Sequence, residues 1–269
     1  MKTLVMSKLG ELVVITDRPD WHRMVEVLVE VAGELGVPLP RALYDGPPEY
    51  ERLIPLEEVH DRHLVGREVS GKVEYWHRDQ MVLFFGRFGE TPLDETKGLL
   101  AHELMHHLDN IQQRNVTSYA LFCAPFCKVG FPSICVDYIK ACVDTLRNVS
   151  INSRLSPKYS RVCLLNDLTE AQRALDGAKS ASDEVRRRLS FLFSLITATA
   201  LALFKETKGE VFEIHNMAIS SYPTLSRLSN LLRGHFERAV RRRLDQSWER
   251  EFLSDLRPII CCVMREALE

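Results

Sequence analysis

Two histidines four residues apart, with a glutamate directly after the first, stand in "LLAHELMHHLDN" (residues 99 to 110). At about 100° per residue, His102 and His106 fall about 40° apart on one helix face, so both imidazoles can reach one ion. Glu103 is offset to the side, where a carboxylate can take a proton from water without itself being a ligand. This His-Glu-x-x-His spacing is the arrangement in which a zinc ion acidifies water and a glutamate accepts the proton.

Such chemistry needs a helix that is held firmly. Thr91 is placed to cap it, Pro92, Asp94 and Glu95 suit its first turn, and Leu99, Leu100, Leu104 and Met105 supply apolar anchors beside the histidines. A catalytic zinc also needs a third protein ligand. The extended pattern with a further Gly and His is excluded, because Asp109 and Gln112 stand at those positions. The remaining source is a second helix, "CVDYIKACVDTLRNVSINSRL", along which Asp137, Asp144, Asn148 and Asn152 form a polar stripe beside apolar Ile139, Val143, Leu146 and Val149.

The order of helix, short strands, edge strand, His-Glu-x-x-His helix and acidic second helix resembles the gluzincin group of zinc metallopeptidases. Its layout is similar to the minigluzincins and to the catalytic domains of prenyl-protein-processing and heat-shock membrane proteases. In that group the second helix carries Glu-x-x-x-Asp. The resemblance implies Asp144 as the third zinc ligand, with Asn148 supporting a histidine ligand through its other ring nitrogen. This chain has Asp for Glu and Asn for Asp at those positions, and Asp137 is the rival ligand. The similarity covers roughly residues 20 to 155 and implies a zincin-like domain whose edge strand, "QMVLFFGRF", would take peptide substrates by strand addition.

The texture of the chain divides it. Up to about residue 90, short β-like runs ("ELVVITD", "RALYDG", "KVEYW", "QMVLFFGRF") surround one amphipathic helix, "DWHRMVEVLVEVAGELG", which Gly36 and Pro38 end. From Thr91 onward the pattern is helical, with Pro132, Pro157, Pro223 and Pro258 as breaks or helix starts. The expected class is therefore a helix-rich α+β protein. A zincin-like domain with a small sheet and the active-site helix spans 1–165, and a helical region packing on or covering it spans 166–269.

Composition narrows the rest. With 35 Lys and Arg against 37 Asp and Glu, the formal charge of -2 offers no basic excess for nucleic acid. "SFLFSLITATALALF" (190 to 204) is apolar but short of the roughly 18 residues at which a membrane span becomes the better reading, so a buried core helix is expected. The seven cysteines are odd in number, and the first residues show no signal-peptide pattern, which points to a reducing cytoplasm. Cys123, Cys127, Cys135 and Cys142 lack structural-zinc spacing and read as buried thiols. Arg186 to Arg188 and Arg241 to Arg243 read as solvated helix faces beside Asp183, Glu184, Asp245 and Glu249. Asp109 reads as a helix-end cap or ion-pair partner, and His107 as a surface or packing residue. Tyr159, His215 and Tyr222 are open choices for a group that stabilises a transition state.

The expected function is a zinc-dependent metallopeptidase, with Glu103 as general base, His102, His106 and Asp144 around Zn2+, and a peptide or protein as substrate. Two rivals are an inactive zincin-fold scaffold that binds metal without turnover, and a helical interaction protein with a coincidental motif.

Overall fold

The computed structural model describes residues 2–7, 10–16, 19–40, 42–45, 73–77, 80–83, 92–112, 133–222 and 225–268. Two compact units are formed: Met1–Gln113 with Leu155–Val162, and Arg114–Arg154 with Cys163–Glu269.

In the first unit, β1 (Lys2–Ser7) pairs antiparallel with β2 (Gly10–Thr16), in a register that sets Leu4 opposite Val13. A parallel neighbour needs a crossover, and α1 (Trp21–Leu35) supplies it before β3 (Ala42–Asp45) pairs with β2. Alternation puts Leu12 and Val14 in the core with Leu43, while α1 contributes Met24, Val25, Val27, Leu28, Val31 and Ala32. The helix stops at Gly36, whose φ of 63° is left-handed backbone that glycine adopts without a Cβ penalty. Its N–H and that of Val37 close the last turn on Gly33 and Ala32.

β4 (Val73–His77) and β5 (Gln80–Leu83) form a second antiparallel ladder with an irregularity between Tyr75 and His77. One small zincin-like sheet is the sequence expectation, and the described strands differ from it. They make two ladders, ordered β1-β2-β3 and β4-β5. β5 runs beside β3, and its ladder partner is β4. The expected edge strand is described only from Gln80 to Leu83, and the rest of "QMVLFFGRF" lies outside the described residues. Helix α2 (Leu93–Ile111) lies against α1, β4 and β5.

The described residues are helix-rich from there on. The helices are α3 (Ser133–Asn152), α4 (Pro157–Ser180), α5 (Glu184–Leu201), α6 (Val211–Ser221), α7 (Leu225–Arg241) and α8 (Gln246–Leu268). Pro157 opens α4, where its missing N–H costs nothing. Pro258 behaves otherwise than expected: α8 continues through it. Leu256, Ile260 and Val263 bury one side of the helix while Pro258 itself is exposed, so core packing on both flanks outweighs one lost backbone bond. Pro132, Pro223 and the proposed Thr91 cap lie outside the described residues.

Helix α5 is central to the second unit, meeting α3, α6, α7 and α8. Asp183 caps it by accepting from the Val185 N–H at 3.0 Å, and Leu192, Leu195, Ile196 and Ala198 are buried in the common core. Its polar residues are satisfied locally: Ser194 Oγ donates to the Ala171 carbonyl at 2.8 Å, and Thr199 Oγ1 to that of Leu195 at 2.7 Å. The apolar run at 190 to 204 is thus core helix and the short turns after it, as its length implies. Among the described residues no helix is long and apolar enough to cross a membrane.

Candidate metal centre

Helix α2 carries its acidic first turn, Asp94 and Glu95, as the helix dipole favours. One side of it is sealed by Leu100, Ala101, Leu104 and Met105. A second contact fixes its height. An ideal Cβ on Gly98 would stand 2.7 Å from Cβ of Val162, so the absence of a side chain there lets the start of α4 approach the turn that precedes His102. Around this packing, Lys97 pairs with Glu30, the Tyr159 hydroxyl donates to Glu34, and Lys158 Nζ lies 3.4 Å from the same Glu34 carboxylate. These bonds join α1 to α2 and to the first turn of α4. The Tyr159 bond, with Lys158 and Lys97 behind it, holds the Glu34 carboxyl below its usual range. Burial, followed by the Glu34 contact, holds the Tyr159 phenol above its own.

On this support His102 is buried, while His106 and Glu103 are half-buried. The two imidazoles meet edge to face at 76°, with Nε2 of His106 3.1 Å from Nε2 of His102. Two nitrogens bound to one tetrahedral zinc at about 2.0–2.1 Å stand roughly 3.4 Å apart, so this spacing is close to that of a chelating pair. One potential ligand atom from each of His102, Glu103 and His106 lies within 4.8 Å of the others. The donor set therefore suits a divalent ion, although imidazole and carboxylate accept several such ions and do not by themselves select zinc.

The other sequence candidates are placed as follows. Asp144 lies on α3 in the second unit with its side chain 45% exposed, and Arg147 Nη1 is 3.9 Å from its Oδ1. Asp137 is on the same helix, with its side chain outside the described residues. Asp109 and His107 are both buried on α2, so His107 is a packing residue. His215 Nε2 is 2.8 Å from Ser229 Oγ, and burial, followed by the charge of Arg233, lowers its pKa. The Tyr222 hydroxyl donates to Glu184 at 2.7 Å beneath the Arg188 guanidinium.

Cys142 is buried, which pushes its thiol far above the ordinary range, and the other three cysteines of the proposed cluster lie outside the described side chains. In the arginine runs Arg187 and Arg188 pair with Glu184, and Arg242 with Asp245, at the surface. Glu249 departs from the expected surface role. It is fully buried and accepts from Arg147 Nε at 2.5 Å, a contact 102 residues apart in sequence that no spacing rule could reveal.

Comparison with known proteins gives no match to a family model, to a curated protein or to a solved structure.

Proposed function

We propose that this protein is a zinc-dependent hydrolase of peptide bonds. The observation that carries the reading is the facing Nε2 pair of His102 and His106, with the Glu103 carboxylate in the same cluster. His102 and His106 would hold the metal, and Asp144, assigned by its position in the sequence, would complete the set, with Asp137 as the alternative. Zinc bound there would supply a Lewis acid that makes water acidic and polarises a carbonyl oxygen. Glu103 takes a proton from the attacking water and returns it to the leaving amine, a role that a half-buried carboxylate beside the imidazoles can fill. The substrate is a peptide or protein.

Zinc content and hydrolysis of a mixed peptide library, measured on wild type and Glu103→Gln, test the reading. It expects about one zinc per chain in both, with hydrolysis lower in the variant by at least about a hundredfold, the scale of a lost general base. Equal background hydrolysis in the two zinc-loaded proteins would leave a metal-binding scaffold. Wild type without zinc would leave the histidines coincidental.

A further inference from the structure

Three polar side chains from three helices of the second unit meet in a chain of hydrogen bonds. His215 on α6 places its Nε2 2.8 Å from the Ser229 hydroxyl of α7, and Thr199 Oγ1 of α5 lies 3.4 Å from the same hydroxyl. Thr199 commits its one hydrogen to the Leu195 carbonyl at 2.7 Å, so it can only accept from Ser229. The single hydrogen of Ser229 therefore goes to the nearer and more basic acceptor, Nε2 of His215, and the neutral ring carries its own proton on Nδ1. This is the arrangement in which an imidazole acts as base toward a hydroxyl nucleophile. Burial, followed by the charge of Arg233, holds the imidazole below its usual pKa, so it is a free base at neutral pH. Helix α6 packs on α5 and α7. Besides Thr199 and Ser229 these helices bring Arg233, one turn beyond Ser229 on α7, with Glu237 as its ion-pair partner. Packing alone asks for any donor and acceptor here. A nucleophile needs this tautomer, a base free of its second proton and a cation close by, and the three occur together.

We propose that Ser229 and His215 are a nucleophile and its base for acyl transfer from small carboxylic esters, with Arg233 as the cation that stabilises the oxyanion. The step is independent of the histidine pair on α2 and calls for no metal. Ser229 Oγ attacks the carbonyl carbon, its proton passes to Nε2 of His215, and the carbonyl π electrons move onto the oxygen, where the permanent charge of the guanidinium favours them. Collapse of that adduct breaks the bond to the alkoxy oxygen, which takes the proton from the imidazolium and leaves as a neutral alcohol. Water then repeats the sequence on the acyl-serine and releases the carboxylic acid. Ser229 is only 3% exposed, so the acyl group has to be small.

The test uses the full chain and diisopropyl fluorophosphate, a small reagent for activated serines, with the adduct read by intact mass and peptide mapping. The expected result is an adduct on Ser229 that forms at the same rate with and without a metal chelator and is absent in Ser229→Ala. Labelling should be slower by at least about a hundredfold in His215→Gln, the scale of a lost general base, and slower in Arg233→Gln as well. A folded wild type with no adduct on Ser229, labelling that a chelator abolishes, or equal rates in wild type and His215→Gln would each overturn the proposal. An unchanged rate in Arg233→Gln removes the cation from the site. Should His215→Gln fail to fold, the wild type decides: labelling that slows as pH falls and the imidazole is protonated supports the pair, and a rate independent of pH overturns it. With p-nitrophenyl acetate an acetyl group should appear on Ser229 at early times, and its absence would overturn the ester as substrate class.

Discussion

His102 and His106 turn their Nε2 atoms toward each other at 3.1 Å across one turn of α2. That separation is close to the spacing of two donors on one tetrahedral ion. His102→Ala or His106→Ala should each lower zinc affinity by more than about a hundredfold, beyond the effect of losing an outer partner, while far-ultraviolet circular dichroism stays as in wild type. Stoichiometric zinc in the double alanine variant would remove these residues from the metal centre.

Gly98 sits where α2 packs tightly against Val162 at the start of α4. Gly98→Ala brings a methyl group to 2.7 Å from Val162 Cβ, a branched and inflexible neighbour. Overpacking of this kind costs about 1–3 kcal/mol, and the better helix propensity of alanine offsets about 1 kcal/mol of it. The variant should melt at a lower temperature than wild type, and adding Val162→Ala should restore part of the loss. A melting temperature equal to or above that of wild type for Gly98→Ala alone contradicts the close approach.

His215 resists protonation in the folded protein because it is partly buried and faces the charge of Arg233. The unfolded chain takes up that proton first as pH falls through the ordinary histidine value of about 6.5. Folded stability therefore declines below that pH, levels off under the depressed folded value, and is unaffected above it. His215→Gln keeps a polar group beside Ser229 and cannot titrate. The melting temperature of wild type should fall more than that of the variant between roughly pH 7.5 and pH 5.5; parallel curves would show that His215 does not contribute.

Trp248 is buried, and its indole N–H donates to Nδ1 of His235 at 3.1 Å. His235 consequently carries its proton on Nε2, which faces Asp255 Oδ2 at 3.2 Å. Trp248→Phe leaves a buried acceptor without its donor and should lower the stability measured by urea unfolding by about 1–3 kcal/mol, with a cavity contribution in addition. A loss below about 0.5 kcal/mol would mean that the bond adds nothing net.

The features legible in the sequence are those that local rules govern. Helical spacing and the Gly36 stop delimit α1, four-residue spacing aligns His102 with His106, and run length separates the core helix α5 from a membrane span. The strand β1 escapes such reading because its apolar run, Leu4 to Met6, is only three residues long and does not alternate, and its pairing with β2 is what makes it a strand. Ladder order is equally hidden, since strand partners are chosen by contacts between segments far apart in the chain. Glu249 looks like one more acidic residue on a helix surface. Its burial follows from the meeting of α3 and α8, a relationship written in no window of adjacent residues.

The bond between Arg147 and Glu249 also dictates timing. During synthesis the cation of α3 emerges from the ribosome 102 residues before its counterion. Until that glutamate is made, the carboxylate beside Arg147 is the half-exposed Asp144, and the buried counterion of the finished chain is still missing. The second unit thus has reason to stay loosely collapsed through most of translation and to close only when its final helix is delivered.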